Sequence, residues 1–468
     1  MHYDLAILGA GAAGMMAAVF AGEACRHATI SPRIAIFEKN TQPGAKVLVC
    51  GGGRCNFTNA GPIDFLIRQF GRNGRFLTPA LRHMDNKKLQ NFFTARGVPS
   101  HEETGGKIYP NSNQAKSIVE ALLRNIRELG IEIITGMAGA VTAIQRIENT
   151  ESTENTETTV KIKIKIKTSV LSVSSVPSVF FELVMANGQT HTAKTLLLAV
   201  GGMSYPRMGT TGDGYRFARA LGHSIVTPRP AIVGLLTQEK WPKSLQGLAV
   251  PEVEVMLPPH KKSVRADRMS KGDMLFTHFG LSGPAILNPS EIFAELLESS
   301  TTAPLGIDFL PRCSHEELHR MMREWQQKLG KKLLRKMFSE MDGRDFALPQ
   351  RLAEKWLELE KIPLDQSCAS LAAAQMHRLV ERIKQSRFTI CGTRGFQEAM
   401  VTAGGVTLGE VDPHTMQSKI TPSLYLVGEV LDLTGPSGGY NLQLAFATGA
   451  LAGAAMANEL VADKHRQK

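Results

Sequence analysis

At 468 residues the chain is too long for one ordinary hydrophobic core, so two or three domains are expected. Its apolar share of 43% and its 43 glycines fit a soluble α/β enzyme, and six thinly spread cysteines argue against a disulfide scaffold and for a reducing compartment. The balance of 54 basic against 43 acidic residues gives a net charge of +11, which suits an anionic cofactor or substrate; no Arg- and aromatic-rich tract supports nucleic acid and no ligand spacing supports a metal.

The chain opens with an apolar run, Tyr3 to Leu8, then Gly9, Gly11 and Gly14 at the spacing G-x-G-x-x-G, then the small residues Met15 to Ala18. This predicts a buried parallel strand, a phosphate-binding turn and a helix whose first N–H groups face an anion. A second strand, Arg33 to Phe37, ends in Glu38, 24 residues after Gly14, where a carboxylate can accept hydrogen bonds from both hydroxyls of an adenosine ribose. The opening stretch lacks a basic leader and contains Asp4, so it does not predict a signal peptide.

Next come Lys46, then Gly51-Gly52-Gly53-Arg54-Cys55-Asn56, which predict backbone lying flat against a bulky anionic group such as a flavin dinucleotide. Cys50 and Cys55 have the C-x-x-x-x-C spacing of flavin disulfide reductases, but the second G-x-G-x-x-G that those enzymes carry is missing. Helices are predicted over 86–96 and 114–129 with a loop around Gly105 and Gly106 between them, and strands over 131–134 and 140–144; the second is where an adenine would meet backbone. Residues 148–178 are of low complexity, with strict Lys/Ile alternation over 161–167, and predict an enlarged β-hairpin excursion with a solvated lysine face.

Strands over 180–185 and 195–200 run into Gly201-Gly202, and Thr211 or Asp213 is expected to cap a helix through Ala220. Residues 224–310 carry short β-type runs and predict a small β-domain inserted between halves of the nucleotide domain; within it His278 is a candidate proton donor or substrate anchor. Ser314-His315-Glu316-Glu317 is a capping box opening a helix to about Met341; with 350–360 and 371–385 it predicts a three-helix subdomain. Lys331, Lys332, Arg335 and Lys336 there form either a basic patch or a solvated face. The chain then returns through Thr402 to Val406 and the strand Leu424 to Val427 into Gly428-Glu429, and Gly435 to Gln443 heads an apolar last helix read as buried rather than membrane-spanning. A carboxylate after that strand and a Gly-Gly helix start can hold the ribityl chain and pyrimidine edge of a flavin. A nicotinamide-only enzyme has no need of such a returning segment.

These stretches, together with Gly201 to Pro206, Thr211 to Gly214, Leu281 to Pro284 and Thr402 to Val406, make nearly the whole chain similar to the YhiN/BaiN-type flavoproteins. The resemblance implies an NAD(P)/FAD-dependent oxidoreductase with a two-dinucleotide-binding-type Rossmann-like domain, a parallel sheet with a β-meander, and an inserted β-barrel and three-helix bundle covering the flavin. One branch is linked to reduction of conjugated steroid ketones. Cys50 stands where relatives are expected to carry a small hydroxyl residue, which argues against a family disulfide with Cys55.

The resulting expectations are an FAD-binding domain over 1–203 and 389–468, an inserted β-barrel over 204–310 and a helical subdomain over 311–388. FAD contacts are expected at Gly9, Gly11, Ala12, Ala13, Gly14, Glu38, Lys39 and Lys46, and at Gly52, Gly53, Arg54, Cys55 and Asn56. Further contacts are expected at Val141, Ala199, Gly201, Gly202, Gly428, Glu429, Asp432, Gly439, Tyr440, Asn441 and Leu442. NAD(P)H is the expected electron donor, a small molecule with an activated C=C bond the expected acceptor, and His278 and Tyr205 the candidate proton donors. A cytoplasmic location and no membrane partner are expected. An RNA-modifying or RNA-binding flavoprotein stays open on the net charge, and a flavin disulfide reductase on Cys50 and Cys55.

Overall fold

Three apolar strands set the architecture. In a computed structural model of the chain, described over residues 1–149, 178–259, 269–338 and 348–466, His2–Leu8 lies between Ile34–Glu38 and Thr190–Leu198, parallel to both. All three are buried along most of their length, as the unbroken apolar runs demand of a parallel sheet covered on both faces. Glu132–Thr135 extends the sheet beyond the second strand, and the Val141–Asn149 and Ser178–Met185 strands form an antiparallel meander on the far side of Thr190–Leu198. Most of the 148–178 excursion, including the Lys/Ile alternation, lies outside the described residues.

The seventh strand comes from the other end of the chain. Leu424–Leu426 pairs in parallel with Leu196, Leu197 and Leu198. Thr190–Leu198 thus carries the meander along its first half and the returning strand along its second. The register brings Leu8, Phe37, Leu198 and Leu426 level at one edge. Ligands of open parallel sheets bind outside such carboxyl ends.

Behind the sheet, Ala12–His27 packs on the last helix, Tyr440–Arg466. The approach is close because both are built of small residues: a methyl group on Gly449 would overlap the Ala13 carbonyl, and one on Gly453 the Ala17 carbonyl. Among the described residues the last helix alone is long and apolar enough to cross a membrane, and packing against the first helix accounts for that composition.

The insert has its own core. Six strands, Leu235–Thr237, Ala249–Met256, Met269–Phe276, Gly280–Ser282, Ala303–Asp308 and Ser386–Thr393, close into a barrel. Between the last two of these run the helices His315–Lys328, Leu334–Met337, Gln350–Leu359 and Ala373–Lys384, which share one hydrophobic core with the barrel. The Ser314 capping box forms, but the helix stops at Lys328 rather than near Met341, because a turn around Gly330 bonds back to Ala369. A two-stranded ribbon, Ile225–Ala231 with Val401–Val406, joins the insert to the nucleotide domain.

Two boundaries differ from the sequence reading. Asp213–Ala220 packs through Tyr215, Phe217 and Ala218 in the first core, so 204–221 go with the nucleotide domain, and Ser386–Thr393 completes the barrel. The stretch around Gly105 is a hairpin, Ser100–Glu103 with Lys107–Pro110, paired to Thr58–Asn59; its charged residues hide the alternation that marks a strand.

The helix crossing gives a direct test. Gly453→Val should cost about 1–3 kcal/mol or more by overpacking, read as a lower urea midpoint. Gly409→Ala, where nothing lies within 4 Å, should stay within about 0.5 kcal/mol of the parent.

Candidate functional site

Where the strands end level, the first turn begins. Gly9 has φ +98°, and a Cβ there would stand 2.6 Å from the Ala199 carbonyl oxygen, so only glycine lets the turn pass this close to the neighbouring strand. Gly14 abuts the Gly9 carbonyl and seats the first helix against the turn, whereas Gly11 faces open space where a ligand's backbone could lie. Glu38 Oε2 accepts from the Ala10 N–H at 2.8 Å and Oε1 from the Asn40 N–H at 2.8 Å. The carboxylate therefore braces the turn with lone pairs left for a ribose.

One cavity runs from this turn to the start of the last helix. Gly9, Gly11, Ala12, Ala13, Glu38, Lys39 and Lys46 line it, with Val141, Ala199, Gly201, Gly428, Glu429, Asn441 and Leu442. Ala10, Asn40, Gly44, Met208, Gly209, Met400 and Val401 line it too and were not singled out from the sequence. Gly44, at φ +74° with its N–H on the Ala10 carbonyl at 2.8 Å, had a readable signal in Pro43-Gly44. Met208 and Met400 had none.

The cations are already paired. Lys46 Nζ sits 2.6 Å from Glu429 Oε2 and 2.6 Å from Ser204 Oγ, and Ser204 Oγ donates to Glu429 Oε1 at 2.8 Å. The Thr402 N–H adds a bond to Glu429 Oε1 at 2.8 Å, so ribbon, glycine turn and returning segment meet on one carboxylate. Lys39 pairs with Asp213 at 2.6 Å. Asp213 therefore serves as a counter-charge rather than a cap, and Gly212 at φ +82° opens that helix. Arg54 does not line the cavity: it binds Glu103 and Asn113 and lies over the Tyr109 ring, 4.1 Å from its centroid.

The loop around Asn56 closes the far end. Gly439 has φ +93° and is wedged against the Thr58 carbonyl, and Thr58 Oγ1 donates to Gln443 Oε1 at 2.6 Å. Asn441 holds the segment before the last helix by accepting from the Gly435 N–H at 2.9 Å and donating to the Gly435 carbonyl at 2.8 Å. Asn56 Oδ1 is buried without a partner. Such a buried orphan acceptor beside the cavity leaves a position open for an N–H donor. Gly52, Gly53, Cys55, Asn56, Gly202, Asp432, Gly439 and Tyr440 stand behind or beside the cavity rather than lining it; Asp432, for example, accepts from Asn73.

All six cysteines are free. Cys55 is fully buried and Cys50 half-buried, and burial raises both thiols above their ordinary range, opposite to what a nucleophilic redox pair requires. Tyr205 and His278 lie outside the cavity lining. Tyr205, at φ +54°, is half-buried with its N–H on the Phe396 carbonyl at 3.1 Å; burial raises its phenol, helped by Cys50 and Glu398. His278 is exposed and acts on the same Glu398, whose carboxyl is held low by its hydrogen bond from Arg394. Glu398 thus acts on the Tyr205 phenol and is itself acted on by His278.

Labelling with a thiol reagent should modify exposed Cys391 first and reach Cys55 only after unfolding. Rapid native labelling of Cys55 would contradict the burial described.

The sequence profile described as HI0933-like protein Rossmann domain matches residues 3–160 and 150–455. The chain is 30% identical over 454 residues to a 3-dehydro-bile acid delta(4,6)-reductase of Clostridium scindens, covering 97% of this chain and 98% of that one. It is 29% identical over 446 residues to a ribosomal RNA dihydrouridine synthase of Haemophilus influenzae, covering 94% and 95%. A solved flavocytochrome c3 fumarate reductase aligns with 98% of this chain and 78% of its own at 14% identity and a TM-score of 0.45. The chain belongs to the HI0933-like Rossmann-domain family of flavoprotein oxidoreductases.

Proposed function

We propose that this protein binds FAD along the cavity and, using NAD(P)H, reduces a carbon–carbon double bond conjugated to a carbonyl in a small organic acceptor. The observation that carries the reading is the returning segment: Gly428, Glu429 and Asn441 share one cavity with Gly9 and Gly11. A dinucleotide with a long second half needs both ends held; a nicotinamide nucleotide at the first turn needs only one. The names of two relatives of near-equal identity agree on the bond, since a 4,6-unsaturated 3-oxo ring and the uracil ring of uridine both carry a C=C in conjugation with a carbonyl.

FAD, when bound, would supply the two-electron carrier that passes hydride between nucleotide and acceptor. The chain's own work is positional and electrostatic. The first helix's N–H groups would receive the pyrophosphate and Glu38 the ribose, and N–H dipoles at the start of the last helix, where Asn441 and Leu442 line the cavity, would stabilise negative charge on the ring. Glu429, paired with Lys46, would border the middle of the cofactor without presenting a free anion. Hydride addition at one carbon leaves a proton to be placed on its neighbour. Tyr205, whose phenol burial keeps protonated, is the candidate to give it. Six free cysteines suit a cytoplasmic setting.

A second reading, a uridine of RNA as acceptor, is favoured by the 29% identity to the ribosomal RNA enzyme and by the net charge of +11. Anaerobic mixing with NADH or NADPH should bleach the flavin, and an enone should restore it; failure of both nucleotides would sink the proposed donor. Tyr205→Phe should slow reoxidation by the acceptor about 100-fold while sparing bleaching. RNA retention falling steeply with added salt would select the second reading, and none at low salt would remove it.

A further inference from the structure

Far along the chain from the nucleotide cavity, four potential ligands meet on the surface of the insert. His315 and His319 stand one turn apart on the His315–Lys328 helix, and His377 and Glu381 one turn apart on Ala373–Lys384. The helices run antiparallel at this point, so His315 meets Glu381, with Nε2 in hydrogen-bond contact with Oε1, and His319 meets His377. None of the four lines the nucleotide cavity.

From this geometry we infer a binding site for a divalent transition metal of the imidazole-preferring group, Zn2+ foremost, held by His315, His319, His377 and Glu381. The first support is spacing. His319 Nε2 and His377 Nδ1 are 3.4 Å apart, and two donors at Zn–N distances of about 2.0–2.1 Å in a tetrahedron lie about 3.3 Å apart. The three ring centroids form a triangle of 5.4, 5.6 and 6.3 Å, close to the roughly 5 Å separation of imidazoles sharing one tetrahedral ion.

The second support is the state of the rings. His319 Nδ1 is buried without a hydrogen-bond partner, so the ring's one polar contact is the facing nitrogen of His377. Two imidazole nitrogens facing each other must share a proton or a cation. Glu381 brings a carboxylate to the cluster through His315, while Arg378 and Arg382 on the same helix are drawn off to Glu360. Among the described residues no three such side chains already converge on one point. Here convergence requires the His315–Glu381 hydrogen bond to open and both side chains to turn toward the His319–His377 pair. Such an ion would clip together the helices that lead out of Ala303–Asp308 and back into Ser386–Thr393, fixing the subdomain on the barrel.

The test uses tag-free, full-length, cofactor-loaded protein titrated with Zn2+ and with Co2+. The expected result is one saturable site per chain, the intense visible bands of tetrahedral Co2+ and a higher melting temperature with Zn2+. His377→Ala, at an exposed position that folding should tolerate, should weaken binding by more than the ~10–100-fold lost with an outer-shell partner, with flavin content unchanged. Glu381→Gln should weaken it in the same direction. Absence of saturable uptake in the parent protein, or uptake that His377→Ala leaves intact, would overturn the assignment.

Discussion

The structure depends on one strand pairing across the whole chain. Leu424–Leu426 lies beside Leu196–Leu198, and Leu198 lies beside Leu8. Because parallel strands share a direction, their carboxyl ends coincide, and whatever follows each strand meets the rest at one edge. Gly9, Ala199 and Gly428 come just after three of the strands and Glu38 ends the other, and all four border the cavity. The insert can be large because it leaves and returns through the single ribbon Ile225–Ala231 with Val401–Val406, which leaves that pairing intact.

Charge inside the site is balanced before any ligand arrives. Lys46 and Glu429 are each only 19% exposed and satisfy one another, and Lys39 has Asp213. Removing either member of such a pair would strand a charge in a poorly solvated place, so the pairs are part of the wall. Anion attraction in this site therefore falls to backbone N–H groups at the first turn and the last helix start, which carry fixed partial charge without a counter-ion. The surplus of basic residues in the sequence resides elsewhere.

Much of this was legible. Gly9, Gly11, Gly14 and Glu38 read as a nucleotide turn because local backbone geometry alone demands them, and Gly428-Glu429 reads as a second cavity border for the same reason, whereas Gly439 stands beside the cavity. What was not legible depends on partners distant in sequence. Nothing near Arg54 reveals that it turns to Glu103 and Asn113. Asp213 reads locally as a cap and becomes the counter-ion of Lys39, 174 residues earlier. Met208 and Met400 enter the cavity wall through packing, which leaves no periodic trace. The four ligands of the proposed metal site are split between helices that only tertiary packing sets side by side.

On this reading one FAD lies extended between the first turn and the start of the last helix. The most direct test is to denature the purified protein and to identify and count the nucleotide released. The account predicts FAD at close to one per chain. Release of FMN, of a nicotinamide nucleotide in its place, or of no nucleotide from protein offered FAD would contradict it.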